Sequence, residues 1–297
     1  FKEEGKTVYK VLPRDRDQAF SKMSDGFLLG AAVALIPAAK LLRKNSGDLK
    51  DVKSFNMEPY PLDMAFIRSA NKAVWDEEVR VIQTLLTDEA IDTAFKEVPT
   101  ELNDENVIQL KELLKSRRAN LQKIADRYFK VINTYGVVTG TDKDDLIKII
   151  CKPNGDVDLS LYRKKKDTLE LFVHKIFDAK LTKEVWVYGL DDTDSFEVIG
   201  KSKKIKIRLI GGQNNDEYNI EDGKNIYIYD YKSKKNTLDA VSNATVKLTD
   251  SYDLNTYDYK KLKVNTQQII PLIGANPDDG LKIGMNAIYT RYGFERN

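Results

Sequence analysis

The period of the apolar residues changes near Gly136, and this change constrains the fold more than any other feature of the sequence. From about Tyr60 to Tyr135, apolar side chains recur at three and four residues, which is typical of helices that pack by one face. After Gly136, short segments alternate with a period of two and are separated by turn residues, as β-strands are. A chain that carries the two patterns one after the other is expected to be an α+β protein.

We divide the 297 residues into three parts. Residues 1–135 are interpreted as a mainly helical module and residues 136–249 as a β-rich module. Residues 250–297 are interpreted as a connector that leads to a strand near 280–294. A chain of this length can build two modest domains, each with a core of its own. Because it begins with Phe1 and no catalytic set is complete, we expect it to be a piece of a longer protein.

Two capped helices are predicted in the helical module. Thr87 is placed to cap a short helix that begins with acidic residues, where the helix dipole favours negative charge. Asn103 or Asp104 is placed to cap one long helix from about 105 to 134. The predicted inner face of this long helix consists of Ile108, Leu110, Leu113, Leu114, Leu121, Ile124, Tyr128 and Ile132.

The β-rich module begins with a predicted hairpin. Segments 146–152 and 157–162 alternate in polarity and flank Asn154-Gly155, a dipeptide that supplies the positive φ angles of a tight turn. Further strands are predicted at 168–176, 184–188, 195–199, 204–210, 226–231 and 244–248.

Single cysteine and histidine residues narrow the chemistry that this chain can perform. Cys151 is the only cysteine, which excludes an internal disulfide, and it is predicted to be a buried structural thiol. His174 is the only histidine, so most triad and zinc sites are excluded, and we interpret it as a structural or surface residue. With 48 basic and 46 acidic residues the chain lacks the basic field of a nucleic-acid binder. No apolar run approaches the roughly 20 residues of a membrane-spanning helix.

A short internal repeat occupies the β-rich module. Residues 189–196 and 211–218 share the pattern G-x-x-x-x-D-x-aromatic, and each copy follows a predicted strand. Glycine turns lined by short oxygen-bearing side chains can close around calcium, which takes six to eight oxygen ligands. The candidate calcium ligands are Asp191, Asp194, Asn214 and Asp216. The alternative is that glycine and asparagine supply turn geometry while Asp194 and Asp216 bond to their own backbone.

The repeat resembles a degenerate form of the hemolysin-type nonapeptide turn, in which Gly-Gly-x-Gly-x-Asp units stack into a parallel β-roll. In the first copy, Leu190 stands in place of the second glycine. The glycine at the fourth position is replaced by Asp192 and Asn214 in the two copies. The resemblance implies β-roll-like turns, with calcium as the one cofactor considered.

An acidic motif near the start follows a strand predicted at 6–12. Residues 13–20 read Pro-Arg-Asp-Arg-Asp-Gln-Ala-Phe and resemble the P-x-D-x-D-x-A-F run of CotH-like atypical kinases. The resemblance implies a kinase C-lobe-like remnant in which Asp15 and Asp17 hold Mg²⁺ on a nucleotide. The alternative is a buried Arg/Asp salt-bridge network. The remaining kinase elements would precede this strand, so the chain alone is not expected to transfer phosphate.

The order of the motifs resembles the middle region of a bacterial envelope family. That family combines a calcineurin-like metallophosphoesterase domain with a surface-antigen outer-membrane β-barrel of the BamA/TamA type. The segments that carry the resemblance are Pro13–Phe20, Leu86–Asp88, Arg117-Arg118, Gly140–Lys143, Lys183–Leu190, Arg208–Gly212 and the closing run from Asp278 to Phe294. The metal-binding residues of the phosphoesterase have no counterpart in this sequence, so its hydrolase activity is not carried over.

We therefore expect a noncatalytic structural or interaction module of a larger outer-membrane-associated protein, one that links a catalytic domain to the β-barrel. Its expected location is the cell envelope, and its expected partner is the β-barrel or an envelope protein complex. Membrane contact is expected only through the C-terminal strand region. The alternatives are a kinase-like remnant that binds Mg-nucleotide through Asp15 and Asp17, and a calcium-stabilised β-roll-like binding domain.

Overall fold

A computed structural model describes residues 26–36, 38–43, 45–166, 168–278 and 280–295. The predicted strand at 6–12 and the acidic motif with Asp15 and Asp17 lie outside these residues. The described part contains both helices and strands, with most helices preceding the strands, in agreement with the predicted α+β class.

The chain forms two compact units that do not follow the linear division made from the sequence. The first, the helix–hairpin unit, contains the described residues up to Phe55 together with Asp76–Ile124 and Asn265–Thr290. The second, the β unit, contains Asn56–Trp75, Ala125–Val264 and the described residues from Arg291. Each unit is therefore assembled from segments that are distant in sequence.

The helices precede the strands, apart from one short helix late in the chain. Thr87 and Asp104 cap α5 and α6 as predicted: the Thr87 hydroxyl accepts the Ala90 amide, and Asp104 Oδ1 accepts the amides of Asn106 and Val107. The helices are α1 (Phe27–Leu35), α2 (Val52–Phe55), α3 (Tyr60–Phe66), α4 (Lys72–Leu85), α5 (Asp88–Phe95), α6 (Glu105–Ala119), α7 (Leu121–Ile132) and α8 (Tyr252–Asn255). None of them is both long enough and apolar enough to cross a membrane, within the residues described.

The prediction of one long helix from 105 to 134 is wrong, because Asn120 separates α6 from α7. The Asn120 side chain donates to the carbonyl oxygens of Ser116 and Gly47, at 3.0 and 3.3 Å. Such local bonds compete with the helical pattern, which gives asparagine a poor helix propensity. The predicted inner face is also only partly buried: Tyr128 and Ile132 are buried in α7, whereas Ile108 in α6 is exposed.

Thirteen strands in the described residues form three sheets. All the predicted strands between 146 and 248 are present, with boundaries that shift by a few residues. The strands are β1 (Tyr135–Thr139), β2 (Asp145–Cys151), β3 (Val157–Lys165), β4 (Thr168–Phe177), β5 (Glu184–Leu190), β6 (Ser195–Lys201), β7 (Lys206–Gly212), β8 (Glu217–Asp222), β9 (Ile226–Asp230), β10 (Thr237–Val241), β11 (Thr245–Leu248), β12 (Thr266–Asn276) and β13 (Gly280–Thr290).

The first eleven strands form two sheets, and the chain passes repeatedly from one sheet to the other. Each such pass, which gives one strand to each sheet, is called a coil below. One sheet has the order β1-β5-β7-β9-β11 and is parallel throughout. The other has the order β10-β8-β6-β2-β3-β4, in which β2, β6, β8 and β10 are parallel. From β5 onward the chain passes alternately from one sheet to the other, so each coil contributes one strand to each sheet. The antiparallel hairpin β3–β4 is inserted after the first coil.

Apolar ladders between the two sheets form the core of the β unit. Val187, Leu209 and Ile228 lie in register on neighbouring parallel strands, and all three are fully buried. On the facing sheet, Phe196 and Tyr218 are in register and stack with ring centroids 4.9 Å apart. Because parallel sheets with covered faces bury both sides of their strands, the central strands read as nearly continuous apolar runs.

The hairpin predicted around Asn154-Gly155 is confirmed, with Gly155 at φ +100°. Cys151 is buried as predicted, and burial raises the pKa of its thiol to about 11. His174 is exposed on β4 and its Nε2 lies 2.8 Å from Asp158 Oδ1, in agreement with its interpretation as a surface residue.

Residues 250–276 are not a connector throughout. Their second half forms β12, an eleven-residue strand that pairs along its whole length with β13. Both faces of β12 carry apolar residues, so the alternation that reveals a half-buried strand is weak there.

The C-terminal residues return to the β unit and are anchored by an aromatic contact. Phe294 is buried, with its ring centroid 5.0 Å from that of Trp186 and 4.5 Å from that of Tyr229. The Arg208 guanidinium lies 5.0 Å from the Phe294 ring centroid and is also hydrogen-bonded to Glu184. These contacts cover Trp186, Arg208 and Tyr229 on the outer face of the five-stranded sheet, and all three side chains are buried.

Candidate functional site

The repeated turns lie at equivalent positions in consecutive coils. The copy at 189–196 joins β5 to β6, and the copy at 211–218 joins β7 to β8. Two further turns occupy the same position: residues 140–145 join β1 to β2, and residues 231–236 join β9 to β10. The candidate calcium ligands therefore lie in a column of four stacked turns, of which the sequence pattern identified only two.

A ladder of side-chain hydrogen bonds connects the four turns. The Asp145 amide donates to Asp194 Oδ1, the Asp194 amide donates to Asp216 Oδ1, and the Asp216 amide donates to Asn236 Oδ1, each at 2.9 Å. The sequence separations are 49, 22 and 20 residues, and the first is longer because it includes the β3–β4 hairpin. Each side-chain oxygen thus accepts a hydrogen bond from a backbone N–H of the preceding coil. The alternative interpretation expected Asp194 and Asp216 to bond to their own backbone instead.

The glycine five residues before each aspartate makes room for this ladder. A Cβ on Gly189 would lie 2.1 Å from Asp194 Oδ2 and 2.4 Å from the Gly211 carbonyl oxygen. A Cβ on Gly211 would lie 2.3 Å from Asp216 Oδ2 and 2.4 Å from Asp230 Oδ2. Neither glycine has a positive φ, so it is the space, and not the backbone conformation, that requires glycine at these positions.

The remaining two candidate ligands contact each other. Asn214 Nδ2 donates to Asp191 Oδ1 at 2.8 Å, and the same oxygen accepts the amide of Asp192 at 2.9 Å. The structure therefore brings Asp191 and Asn214 together across neighbouring coils, and it places Asp194 and Asp216 in the ladder beside them. The Oδ1 atoms of Asp191, Asp194 and Asp216 therefore already accept hydrogen bonds within the stacked turns.

Two of the ladder aspartates each have one carboxylate oxygen without a hydrogen-bond partner among the described residues. Asp194 Oδ2 and Asp216 Oδ2 are buried and accept no hydrogen bond from the described residues. Burial raises the pKa of Asp194 to about 9. Burial, followed by the charge of Asp230, raises the pKa of Asp216 to about 7. Burial also raises the pKa of Asp230 to about 6. The Oδ2 atom of Asp230 accepts a hydrogen bond from the Tyr218 hydroxyl at 2.7 Å.

No group of three or more His, Cys, Asp or Glu residues is arranged to hold a metal ion within the part of the chain that is described. Calcium binding by Asp191, Asp194, Asn214 and Asp216 stays a prediction, since calcium also accepts amide and carbonyl oxygens. The magnesium candidates Asp15 and Asp17 lie outside the described residues.

Sequence reasoning missed the turns at 140–145 and 231–236. In the first of these, Gly140 and Asp145 keep the glycine–aspartate spacing, but Ile147 stands where the other copies have an aromatic residue. A search for the glycine–aspartate spacing alone would have found it. The last turn ends in Asn236 and lacks the glycine, so it carries no sequence signal of this kind.

The β12–β13 hairpin is a second candidate site, because it exposes an apolar face. Ile273 pairs with Ile283 and Pro271 pairs with Met285, so all four side chains lie on the same face. Ile273 and Ile283 are each 77% exposed and Met285 is 68% exposed. The face continues through the pairs Ala275/Leu281, Ile269/Ala287 and Gln267/Tyr289.

The opposite face of this hairpin is mixed. Gly274 pairs with Lys282 and Ile270 pairs with Asn286, while both ends of the hairpin carry polar or glycine pairs. Among the described residues, β12 and β13 pair only with each other, which leaves the outer edge of each strand without a partner strand. An isolated two-stranded hairpin is marginally stable in water. This hairpin is therefore suited to an apolar partner on one face and to further strands at its edges.

Comparison of the chain with protein-family models, with curated proteins and with solved structures gives no match. The function proposed for it therefore rests on the repeated turns, on the exposed hairpin and on the sequence motifs.

Proposed function

We propose that this chain is a noncatalytic structural and interaction module of a larger outer-membrane-associated protein of the cell envelope. In this role the β12–β13 hairpin contributes strands to a membrane-embedded β-barrel, and the module links that β-barrel to a catalytic domain elsewhere in the protein. The observation that carries the proposal is the exposed apolar face of the hairpin.

The dimensions of the hairpin fit a membrane strand pair. Each strand has eleven residues, against the 9–11 residues of a transmembrane β-strand. At about 3.4 Å per residue the hairpin is roughly 37 Å long, and a tilt of about 45° gives it a height of about 26 Å. The apolar band of outer-membrane proteins is about 25 Å tall.

The distribution of side chains supports the same assignment. In β13 the residues Leu281, Ile283, Met285 and Ala287 alternate with Lys282, Gly284 and Asn286, and Tyr289 follows near the end of the strand. Alternation of apolar and polar residues, with aromatic residues at the borders, is the pattern of strands between lipid and a polar interior.

The coil stack of the β unit serves as the interaction scaffold in this proposal. We assign it a β-roll-like architecture on the basis of its alternating parallel strands and its column of stacked turns. The stacked turns present short polar side chains such as Asp144 and Asn215, which reach across to the amides of Thr193 and Lys235. Such bonds stiffen the turns, so this edge can act as a rigid surface for an envelope partner.

Scanning fluorescence along β13 tests the proposal. Single cysteines are placed at positions 281–289 in a Cys151→Ser background, labelled with an environment-sensitive dye and mixed with neutral phosphatidylcholine vesicles. We expect the emission of odd-numbered positions to shift to the blue and that of even-numbered positions to change little, because only the odd face contacts lipid.

A matched pair of substitutions provides the control. Ile283→Lys places a charge on the apolar face, where it costs about 2–4 kcal/mol at the bilayer centre, so vesicle flotation should fall at least tenfold. Asn286→Lys adds the same charge to the opposite face and should reduce flotation less than threefold. Equal responses from odd and even positions, or equal losses in the two variants, would refute the assignment of the hairpin to lipid.

A further inference from the structure

A cavity of about 480 Å³ lies beside α8, within the β unit, and it plays no part in the function proposed above. It is lined by residues of the segment 251–261 and by Phe294. Ligand pockets usually have volumes of about 300–1,000 Å³. The cavity is thus large enough for one or two small rings.

Aromatic rings and hydroxyl groups provide much of the lining. Tyr252 is 68% exposed, which leaves its ring available at the mouth of the cavity. Tyr257 is held in place by an edge-to-face contact with the buried Tyr188, with ring centroids 5.3 Å apart. Ser251 adds a hydroxyl-bearing side chain to the wall.

Charges of both signs are also present. Asp253 and Asp258 line the wall together with Lys261. The Lys261 ammonium donates to the Asp253 carbonyl oxygen at 2.6 Å and lies 3.9 Å from the ring centroid of Phe294. The face of Phe294 is therefore already covered by a cation, which fixes the position of the lysine at the cavity.

This lining discriminates among classes of ligand. Two carboxylates repel an anion such as phosphate, and the ammonium of Lys261 repels a cationic ligand from the Phe294 ring. A wholly apolar ligand would remove water from Asp253, Asp258 and Lys261 without replacing its hydrogen bonds. A neutral polyhydroxyl ring satisfies each group, because it offers both donors and acceptors and an apolar face to stack on tyrosine.

We propose that the cavity beside α8 binds a neutral sugar ring. The ring stacks on Tyr252, and its hydroxyls donate to Asp253 and Asp258. The cavity is formed by residues of the β unit and the hairpin belongs to the helix–hairpin unit, so the proposal does not depend on the membrane function.

Saturation-transfer NMR with defined probes tests the proposal. The probes are the methyl glycosides of glucose, galactose, mannose and N-acetylglucosamine, with tetramethylammonium and inorganic phosphate as probes of the other two classes. We expect transfer from the protein to the ring protons of at least one glycoside. Phosphate, which has no protons for this readout, is followed by its competition with that glycoside and by ³¹P line broadening.

Two tyrosine variants separate binding from folding. Tyr252→Ala should reduce the transfer at least fivefold, because the stacking surface is removed. Tyr289→Ala removes an equally exposed tyrosine (66% exposed) from the β12–β13 hairpin and should leave transfer unchanged. Both variants should keep the unfolding transition of the native chain, since the altered rings are exposed. The proposal is overturned if no glycoside shows transfer, if Tyr252→Ala retains it, or if only tetramethylammonium or phosphate binds.

Discussion

Replacing Gly189 with alanine tests the proposition that the glycine–aspartate spacing exists to make room for the hydrogen-bond ladder. The new Cβ would lie 2.4 Å from the carbonyl oxygen of Gly211 in the next coil, whereas ordinary contacts begin at 3.4 Å. The overlap of about 1 Å involves a backbone atom, so it cannot be removed by a side-chain rotation. The same Cβ would lie 2.1 Å from Asp194 Oδ2 and would push this carboxylate away from the Asp145 amide.

The expected cost has two parts. Overpacking a close-packed interior costs about 1–3 kcal/mol, and leaving the buried Asp145 amide without its acceptor costs about 1–3 kcal/mol more. The sum is about 2–6 kcal/mol, and a unit of about 150–250 residues loses roughly 2–4 °C of melting temperature for each kcal/mol. We therefore expect Gly189→Ala to melt at least about 4 °C below the native chain.

Tryptophan fluorescence is the appropriate assay, because both tryptophans of the chain, Trp75 and Trp186, belong to the β unit. Urea unfolding followed by this signal reports the stability of the β unit alone. Gly293→Ala is the matched control, because Gly293 belongs to the β unit and a Cβ there would meet only the Glu295 carbonyl oxygen, at an ordinary contact distance of 3.7 Å. If Gly189→Ala unfolds within 0.5 kcal/mol of the native chain, a threshold of about the scatter of neutral surface substitutions, the spatial explanation of the motif is refuted.

Three further predictions concern the same turns. Leu190 has φ 95°, and Gly212, its partner on the neighbouring strand, has φ 124°. Leu190→Gly should therefore relieve backbone strain and stabilise the β unit by about 1 kcal/mol, as measured by urea unfolding. Leu248→Gly is the control and should destabilise the β unit. Burial raises the pKa of Asp194 from 3.8 to about 9, so the folded state holds the proton more tightly and its stability should fall as the pH rises from about 4 to 9. Asp194→Asn should flatten this dependence, and denaturation at pH 5, 7 and 9 checks both. If the turns serve only the ladder, calcium should leave the melting temperature unchanged. A bound ion at a hundred times its dissociation constant would instead add about 2.7 kcal/mol to the free energy of unfolding. A parallel scan with Mg-ATP tests the candidates Asp15 and Asp17.

The strands of the β unit were largely predictable because their sequences report burial directly. In β5 and β7, runs such as Glu184–Leu190 and Lys206–Gly212 are rich in β-branched and aromatic residues and end at glycine turns. Their parallel pairing was not predictable in the same way. It joins strands about 22 residues apart through an intervening strand of the other sheet, and no local feature of one strand specifies its neighbour.

The break between α6 and α7 could not be predicted for a different reason. The apolar spacing continues through Asn120, and asparagine alone does not end a helix. The side chain of Asn120 reaches the carbonyl oxygen of Gly47, which lies 73 residues earlier in the chain. The break therefore depends partly on a tertiary contact, which local propensity does not contain.

The departures of the turns from the nonapeptide pattern are explained by what each position must do. The first position needs space, so Gly189 and Gly211 are kept where the ladder carboxylates cross them. The second position needs a left-handed backbone, which Gly212 provides without strain and Leu190 provides at a cost in free energy. The sixth position needs only an oxygen acceptor for the preceding coil, and a neutral amide is sufficient at Asn236. The Asn236 amide oxygen accepts the Asp216 N–H at the same 2.9 Å distance as the two carboxylates accept theirs, so the bond between coils, and not the charge, is what the three positions share, which favours the ladder as the reason for the repeat.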